Sequence, residues 1–331
     1  MNVNSSLFKP EEENVLQQLV QKHFPGQPLQ EAKLLAGGLF NTTYLVAVGG
    51  RSPRKLVLRL GPVNRHLLLD FERNLMPAEQ CIYRICAQRG IPASNMLVCD
   101  TSRDIIDRDY SFVEYIPSLP LSDERVPACD RPAAYRRTGE IAAQFHAVTG
   151  ERFGRVSEIL AGGGSESWFA FLADEARRNG RKAVEGGVLG DEDVKDLLQL
   201  LERHRDLLSQ VETPRLVHAD LWVGNVLMAE EGDGWKVAAV IDVDRAVWGD
   251  PDFEFACDWM TGEDFFAGYR AVSGDDDLHT PERVRKRRLY QLLFLLADAY
   301  ILKNQYNNPE GFQNTRTQLL TSLRELCGKS A

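Results

Sequence analysis

At 117–120 (PSLP) the chain changes its hydrophobic period, and that change limits its possible folds more than any other feature. Before it, apolar residues alternate. Thr42–Val48 and residues 55–60 read as strands joined by the hairpin signal GGRSPR, and 98–99 and 110–115 as two further short strands joined by a polar turn. Two helices interrupt them. One spans 11–24, with Val15, Leu16, Leu19 and Val20 at helical spacing and acids at its start, where the helix dipole favours them. The other spans 76–89, with Pro77 in its first turn and Gly90 and Pro92 past its end. After 117–120, helical periodicity covers 131–148, 167–178, 191–209, 252–270 and 281–304, broken by one β-rich patch at 215–243. The segment 161–167 (AGGGSES) reads as a loop tip. The pattern predicts an α+β chain with a small β-rich N-lobe and a larger, mostly helical C-lobe, joined by a linker near 116–121. A ligand would bind at such a junction.

Composition narrows the function classes. Hydrophobic residues make up 44% of the 331, enough for a sizeable core. The best apolar run, 289–302, is interrupted by Gln291 and Asp298 and falls short of the ~20 residues that cross a bilayer, so no membrane partner is expected. The N-terminus (MNVNSSLFKPEEEN) has neither the basic head nor the apolar core of a secretory signal. Thirty-nine basic against 48 acidic residues leave a net charge of −9, which disfavours nucleic acid as a partner. Residues 1–117 carry 13 basic and 12 acidic side chains, so the whole negative excess lies in the C-terminal two-thirds. Solvated helix faces account for such a bias, and a cleft that attracts a cation is the functional alternative. Six cysteines without CxxC spacing read as reduced, mostly buried thiols of a cytoplasmic protein, neither a zinc site nor a disulfide framework.

The chemistry concentrates in 216–243 (LVHADLWVGNVLMAEEGDGWKVAAVIDV). Two short apolar strands flank the turn EEGDG, so the segment reads as a hairpin that brings Asn225 and Asp242 together on adjacent strands, with Asp220 on the loop leading in. Two oxygen ligands on neighbouring strands suit Mg²⁺, which keeps several waters beside one or two carboxylates and substrate phosphates. A third carboxylate that is not a principal ligand can take or orient a hydroxyl proton, as phosphoryl transfer requires. Singly, each of these residues has an ordinary structural reading as a turn former, a strand end or a hydrogen-bonded histidine. A metal-dependent hydrolase using His218, Asp220 and Asp242 as ligands is a second reading of the same cluster.

The segment resembles the aminoglycoside phosphotransferase/choline kinase-like family, small-molecule kinases with a protein-kinase-like fold. His218-Ala-Asp220-Leu-Trp-Val-Gly-Asn225 is similar to the family's H-G-D-x-x-x-x-N loop, with Ala219 where Gly is common. Ile241-Asp242 resembles its metal-binding I-D, and Gly249-Asp250-Pro251 with Glu254 the G-D-P-x-x-D/E that follows. The resemblance implies a bilobal fold, with 1–116 as a nucleotide-binding lobe and 117–331 as a catalytic and acceptor-binding lobe. It implies ATP and Mg²⁺ as cofactors, Asp220 as the base that positions the acceptor hydroxyl, and Asn225 and Asp242 as catalytic metal ligands. Asp250 is read as a brace for the catalytic loop and His146 as a structural helix residue.

In the N-lobe, Gly37 and Gly38, before Asn41, would let backbone amides approach phosphates, although two glycines alone equally suit an ordinary hairpin turn. Strand alternation puts Lys55, Val57 and Arg59 on one face. The resemblance makes Arg59 the cation on the ATP phosphates, with Lys55 as its backup. Glu79 is the carboxylate that would orient it, with Glu72 second. The strand running into Glu114, Tyr115 and Ile116 resembles the hinge whose backbone holds the adenine edge. No D-F-G, A-P-E or long activation segment follows Asp242, which disfavours a protein kinase.

The acceptor is expected to be a small-molecule hydroxyl compound. Eight acids against Arg245 in 242–264 tilt the reading toward a cationic amine or aminosugar. Fructosamine, choline, ethanolamine, homoserine and thioribose are the alternatives the resemblance offers, and a catalytically silent pseudokinase is the alternative of another class. Trp222 could pack on a sugar ring or serve as a core residue. Asp244 would point the same way as Asp242 if the strand continued, and the basic run 283–288 reads as a solvated helix face.

Overall fold

The computed structural model describes residues 5–36, 38–257 and 260–329. Five antiparallel strands form the N-terminal sheet, in the order β1-β2-β3-β5-β4: β1 (Leu29–Leu34), β2 (Thr42–Val48), β3 (Arg54–Leu60), β4 (Met96–Asp100) and β5 (Tyr110–Glu114). Alternation in β3 works as the sequence requires. Leu56, Leu58 and Leu60 are buried against Leu16, Leu19 and Val20 of α1 (Glu13–His23), while Val57 turns to the opposite face and packs with Ala78, Ile82 and Tyr83 of α2 (Leu75–Arg89). Edge strand β1 was not foreseen. Its polar residues, Gln30, Glu31 and Lys33, give no two-residue period (LQEAKL), and pairing with β2 supplies what the sequence pattern lacks.

The rest is mostly helical, comprising α3 (Arg131–His146), α4 (Val156–Leu160), α5 (Trp168–Glu185), α6 (Asp191–Arg203), α7 (Arg205–Leu208), α8 (Glu263–Ser273), α9 (Pro281–Tyr300) and α10 (Pro309–Cys327). Short strands β6 (Leu119–Pro120), β9 (Val226–Glu231) and β10 (Gly234–Val240) make one sheet, and β7 (Gly154–Arg155), β8 (Arg215–Val217) and β11 (Val247–Gly249) another. Helix α9 is the buried axis, with Leu289, Leu292, Leu293 and Leu296 packed among α5, α7 and α10. It ends in a π turn, Ile301–Gln305, a feature frequent at functional sites. Helices α3 and α8 cross so closely that a Cβ on Gly139 would stand 1.9 Å from the Phe265 carbonyl oxygen.

Two expectations need correction. The helix anticipated over 252–270 is a 3₁₀ turn, Pro251–Ala256, followed by α8 from Glu263. Asp250 accepts the amide of Asp252 and caps this turn, but Cys257 leaves it in an extended conformation (φ −104°, ψ 134°), so the helix begins only at Glu263. The chain also leaves the strand after Val240. Asp242 adopts φ 57° and 243–245 form a 3₁₀ turn, so Asp244 does not follow Asp242 along a strand. No helix among the described residues is long and apolar enough to cross a membrane. Cys81, Cys86, Cys99, Cys129 and Cys327 form no disulfide among the described residues, and Cys129 is exposed.

Candidate active site

The β9–β10 hairpin forms as its turn chemistry predicts, and the amide of Ile241 donates to the Asn225 carbonyl at 3.0 Å, so the ends of the two strands stay in register. Asn225 then closes the 218–225 loop, since its Nδ2 donates to the Asp220 carbonyl (2.8 Å) and to Asp220 Oδ2 (3.1 Å). His218 is buried beneath. Its Nε2 lies 3.1 Å from the Ile241 carbonyl and its Nδ1 3.3 Å from the Asp220 amide, so the ring proton belongs on Nε2. With both nitrogens committed, His218 has no lone pair for a metal, which removes the hydrolase ligand set.

Ala219 has φ 62°, a left-handed conformation that costs a residue with a Cβ about 1–2 kcal/mol and explains why glycine is common at this motif position. Glu254 holds it there. The Glu254 carboxylate accepts the amides of His218 (2.8 Å) and Ala219 (3.2 Å) and lies 3.7 Å from His146 Nε2. Burial pushes Glu254 up, and His146, His218 and the amide bond more than reverse it, so its carboxylate stays below the usual range. Asp250 accepts Tyr290 Oη at 2.7 Å and Lys286 Nζ at 2.6 Å, a brace in the sense its motif position implies.

Arg59 turns from β3 to the face opposite α1. Its Nη1 donates to Glu79 Oε1 at 2.5 Å, and its Nη2 lies 2.8 Å from Asp242 Oδ1 and 3.6 Å from Asp244 Oδ2. Glu79 is wholly buried. Tyr83, one turn on, donates to the same Oε1 at 2.8 Å, and burial pushes Glu79 up to about 7 against the pull of Arg59. The backup residues go elsewhere. Lys55 Nζ sits 5.7 Å above the Tyr115 ring at the far end of β3, and Glu72 pairs with Arg245 at 3.5 Å. At the hinge, the Glu114 amide donates to the Asn95 carbonyl (2.9 Å), its carboxylate accepts from Arg54 Nη2 (2.7 Å), and the Ile116 carbonyl accepts Ser118 Oγ at 2.9 Å.

The turn before β2 is closed by the Leu35 amide on the Thr43 carbonyl (2.8 Å), with Asn41 buried at its end. Gly37 lies outside the described residues. At Gly38 a Cβ would stand 2.7 Å from the Asn41 carbonyl oxygen, so only glycine fits this turn. Gly38→Ala is therefore expected to raise the KM for nucleotide at least about tenfold, a loss of ~1.4 kcal/mol in phosphate contacts, with little change in melting temperature. Initial rates over a nucleotide series, beside a thermal melt, check it. An unchanged KM would separate this turn from the nucleotide.

Asp220 is partly buried. Burial pushes its carboxyl up to about 8 against the attraction of Arg245, and Asp242, Asp244 and Asp298 add to the rise. The sequence reading passed over two of the groups here. Asp298 on α9 and Tyr306 just past the π turn both feel the charge of Arg245, and burial pushes Asp298 up to about 6. A carboxylate inside an otherwise apolar helical run was the available signal for Asp298, and Tyr306 had none. Asn225 keeps its Oδ1 clear of the protein hydrogen bonds described, and Asp242, 39% exposed, pairs among the described residues with Arg59, so both offer hard oxygen donors of the kind Mg²⁺ takes. Trp222 is exposed and lies across Gly224, whose Cβ would stand 2.3 Å from its ring.

Residues 31–287 match the model of the phosphotransferase enzyme family, and the chain belongs to that family. It is a small-molecule kinase with a protein-kinase-like fold. Among solved structures it is similar to a candidate fructosamine-3-kinase from Thermobifida fusca YX-ER1 (22% identity, 95% of this chain and 99% of that one, TM-score 0.66). Another such candidate, from Haemophilus somnus 129PT, has 15% identity over 94% and 96% of the chains, with TM-score 0.66. A thermostable mutant of aminoglycoside phosphotransferase APH(4)-Ia in ternary complex with ADP and hygromycin B has 19% identity over 96% and 99%, with TM-score 0.64. No curated protein sequence matches the chain at a significant level.

Proposed function

We propose that this chain transfers the γ-phosphoryl group of Mg²⁺-ATP to a hydroxyl of a small polar acceptor, with 1–116 as the nucleotide lobe and 117–331 as the catalytic and acceptor lobe. One observation carries the reading. Asn225 binds Asp220 while Asp242 binds Arg59, itself held by Glu79, so the acceptor base, the two oxygen donors and the phosphate cation converge from four separate segments. Asn225 and Asp242 would hold Mg²⁺, which would supply positive charge against the charge that develops on the transferring phosphoryl group. Arg59 then stabilises the phosphate oxygens, and Gly38 and Asn41 shape the turn over them. The backbone at Glu114, Tyr115 and Ile116 borders the adenine. Asp220 accepts the proton of the attacking hydroxyl, and a carboxyl lifted toward neutrality is well matched to that task. ADP and hygromycin B in the APH(4)-Ia complex support ATP use and a hydroxyl acceptor by analogy.

Five of the acids in 242–264 are internally committed and do not open a cleft to a cationic acceptor, while Asp258 lies outside the described residues. Asp250, Asp252 and Glu254 are spent on internal cations and amides, and Asp242 and Asp244 face Arg59. Asp298 and Tyr306, electrostatic neighbours of the Asp220–Arg245 pair, carry the acceptor argument instead. A carboxylate and a phenol there suit an amine-bearing polyol such as an aminosugar or fructosamine. The test is ADP release from Mg²⁺-ATP across aminoglycosides, fructosamines, choline, ethanolamine, homoserine and methylthioribose. Stimulation by one class is expected, with Asp242→Ala reducing it at least ~100-fold through lost electrostatic stabilisation. Release that survived Asp242→Ala at near the parent rate would overturn the reading.

A further inference from the structure

A cavity of about 330 Å³ opens between the phosphate turn, the β3–α2 connection and Asp244. Asn41 of the phosphate turn lines it, whereas Arg59, Asp220, Asn225 and Asp242 do not, so it adjoins the triphosphate position on the side away from those four residues. Asp244, which neighbours both Arg59 and Asp220, is the wall it shares with the site. Its lining is charged in an uneven way. Arg103 is spent on Asp109, with bonds of 2.8 and 3.1 Å to the two carboxylate oxygens. Glu72 accepts the Leu69 amide (2.9 Å) and Gln305 Nε2 (2.6 Å), and burial pushes its carboxyl up.

Two guanidiniums are left with donors to spare. Arg65 gives Nη2 to both oxygens of Asp107 at 3.0 Å, yet its Nη1 is buried with no hydrogen-bond partner among the described residues. Arg73 is exposed and meets no acid closer than Asp70 at 3.7 Å. A buried N–H without an acceptor is destabilising, and an oxyanion is the ligand that satisfies a guanidinium fork best. We propose that this cavity is the oxyanion subsite of the acceptor. The molecule phosphorylated carries a carboxylate or phosphate that Arg65 and Arg73 hold, while its hydroxyl end extends past Asp244 toward Asp220. Together with Asp298, the subsite selects a small zwitterion, and the volume, at the low end for ligand pockets, suits the anionic end of a metabolite. The inference rests on the kinase reading and names the acceptor class within it.

The test is calorimetric titration of the full chain with inorganic phosphate and, separately, malonate, first without nucleotide and then with the triphosphate site filled by Mg²⁺-AMP-PNP. Saturable one-to-one binding of one anion that persists beside the nucleotide is expected. Arg73→Ala and Arg65→Ala should each weaken it at least about tenfold, whereas Arg285→Ala, exposed on α9, should not change it. Preference for malonate would identify a carboxylate acceptor, and preference for phosphate a phosphorylated one. Absence of anion binding, its displacement by Mg²⁺-AMP-PNP, or equal binding by the arginine variants would overturn the subsite. Failure of Mg²⁺-AMP-PNP itself to bind would instead strike the kinase reading, and the nucleotide-free titration would still decide the anion site.

Discussion

Asp220→Asn is expected to lower kcat by about 10³-fold, within the range general-base groups supply, while leaving the fold and Mg²⁺-nucleotide binding intact. The loop geometry makes the substitution clean. Asn225 Nδ2 donates to both the Asp220 carbonyl and Oδ2, and an amide oxygen can accept the second bond as a carboxylate does. The Asp220 amide remains on His218 Nδ1, and Glu254 keeps the preceding amides. What the variant loses is the ability to take a proton. Asp220 accepts no hydrogen bond from a cation among those described, and Arg245 acts on it only through space, so the carboxyl serves no structural ion pair whose loss would confuse the result. Removing a charge that burial disfavours should leave the melting temperature equal or higher. Steady-state ADP release with the stimulating acceptor, beside a nucleotide titration, checks both halves. Turnover within tenfold of the parent would mean that Asp220 does not handle the hydroxyl proton.

The parts of this site that could be read from sequence are those built from near neighbours in the chain. His218, Asp220, Asn225 and Asp242 come together through a hairpin whose turn chemistry and strand lengths lie in one 28-residue stretch, 216–243. Arg59 and Glu79 are 20 residues apart on different elements, and nothing in either segment alone pairs them; the family resemblance did. Asp298 and Tyr306 could not be placed by any local rule, because the far end of α9 reaches Arg245 only through the packing of the helical half. The basic run 283–288 was expected to be a solvated helix face, but Asp250 and Asp252 draw Arg283, Lys286 and Arg287 inward from it. Period and composition report what a segment prefers alone, and a buried contact about 31 residues long in sequence overrides both.

Asp252→Ala is expected to destabilise the chain by about 3–5 kcal/mol, the loss typical of removing one partner from a buried charge cluster. Asp252 is only 1% exposed and compensates three cations. Arg283 Nε lies 2.9 Å from Oδ2, Arg287 Nη2 2.7 Å from Oδ1, and Lys286 Nζ 3.2 Å from Oδ2. Burial pushes its carboxyl up, but Arg287, Arg283 and Lys286 together hold it below the usual range. A depressed folded-state value means that the stabilisation is present above the ordinary carboxylate range and is lost as pH falls from that range through the depressed value. The parent should therefore lose stability on acidification more steeply than the variant. Without Asp252, Arg287 keeps its places over the Phe255 and Phe266 rings, 5.0 and 5.8 Å from their centroids, but faces a buried charge with no counter-ion. Urea denaturation of both proteins measures the difference, and Arg288→Ala, which breaks only the exposed pair with Glu325, should change it by less than ~1 kcal/mol. Activity should fall further than the unfolded fraction explains, because Asp252 sits two residues from Glu254, and Glu254 is what holds the strained Ala219 and its neighbour His218 beneath the catalytic carboxylate. A loss below 1 kcal/mol would mean that the apolar packing of α9, and not this charge cluster, anchors the catalytic loop to the helical half.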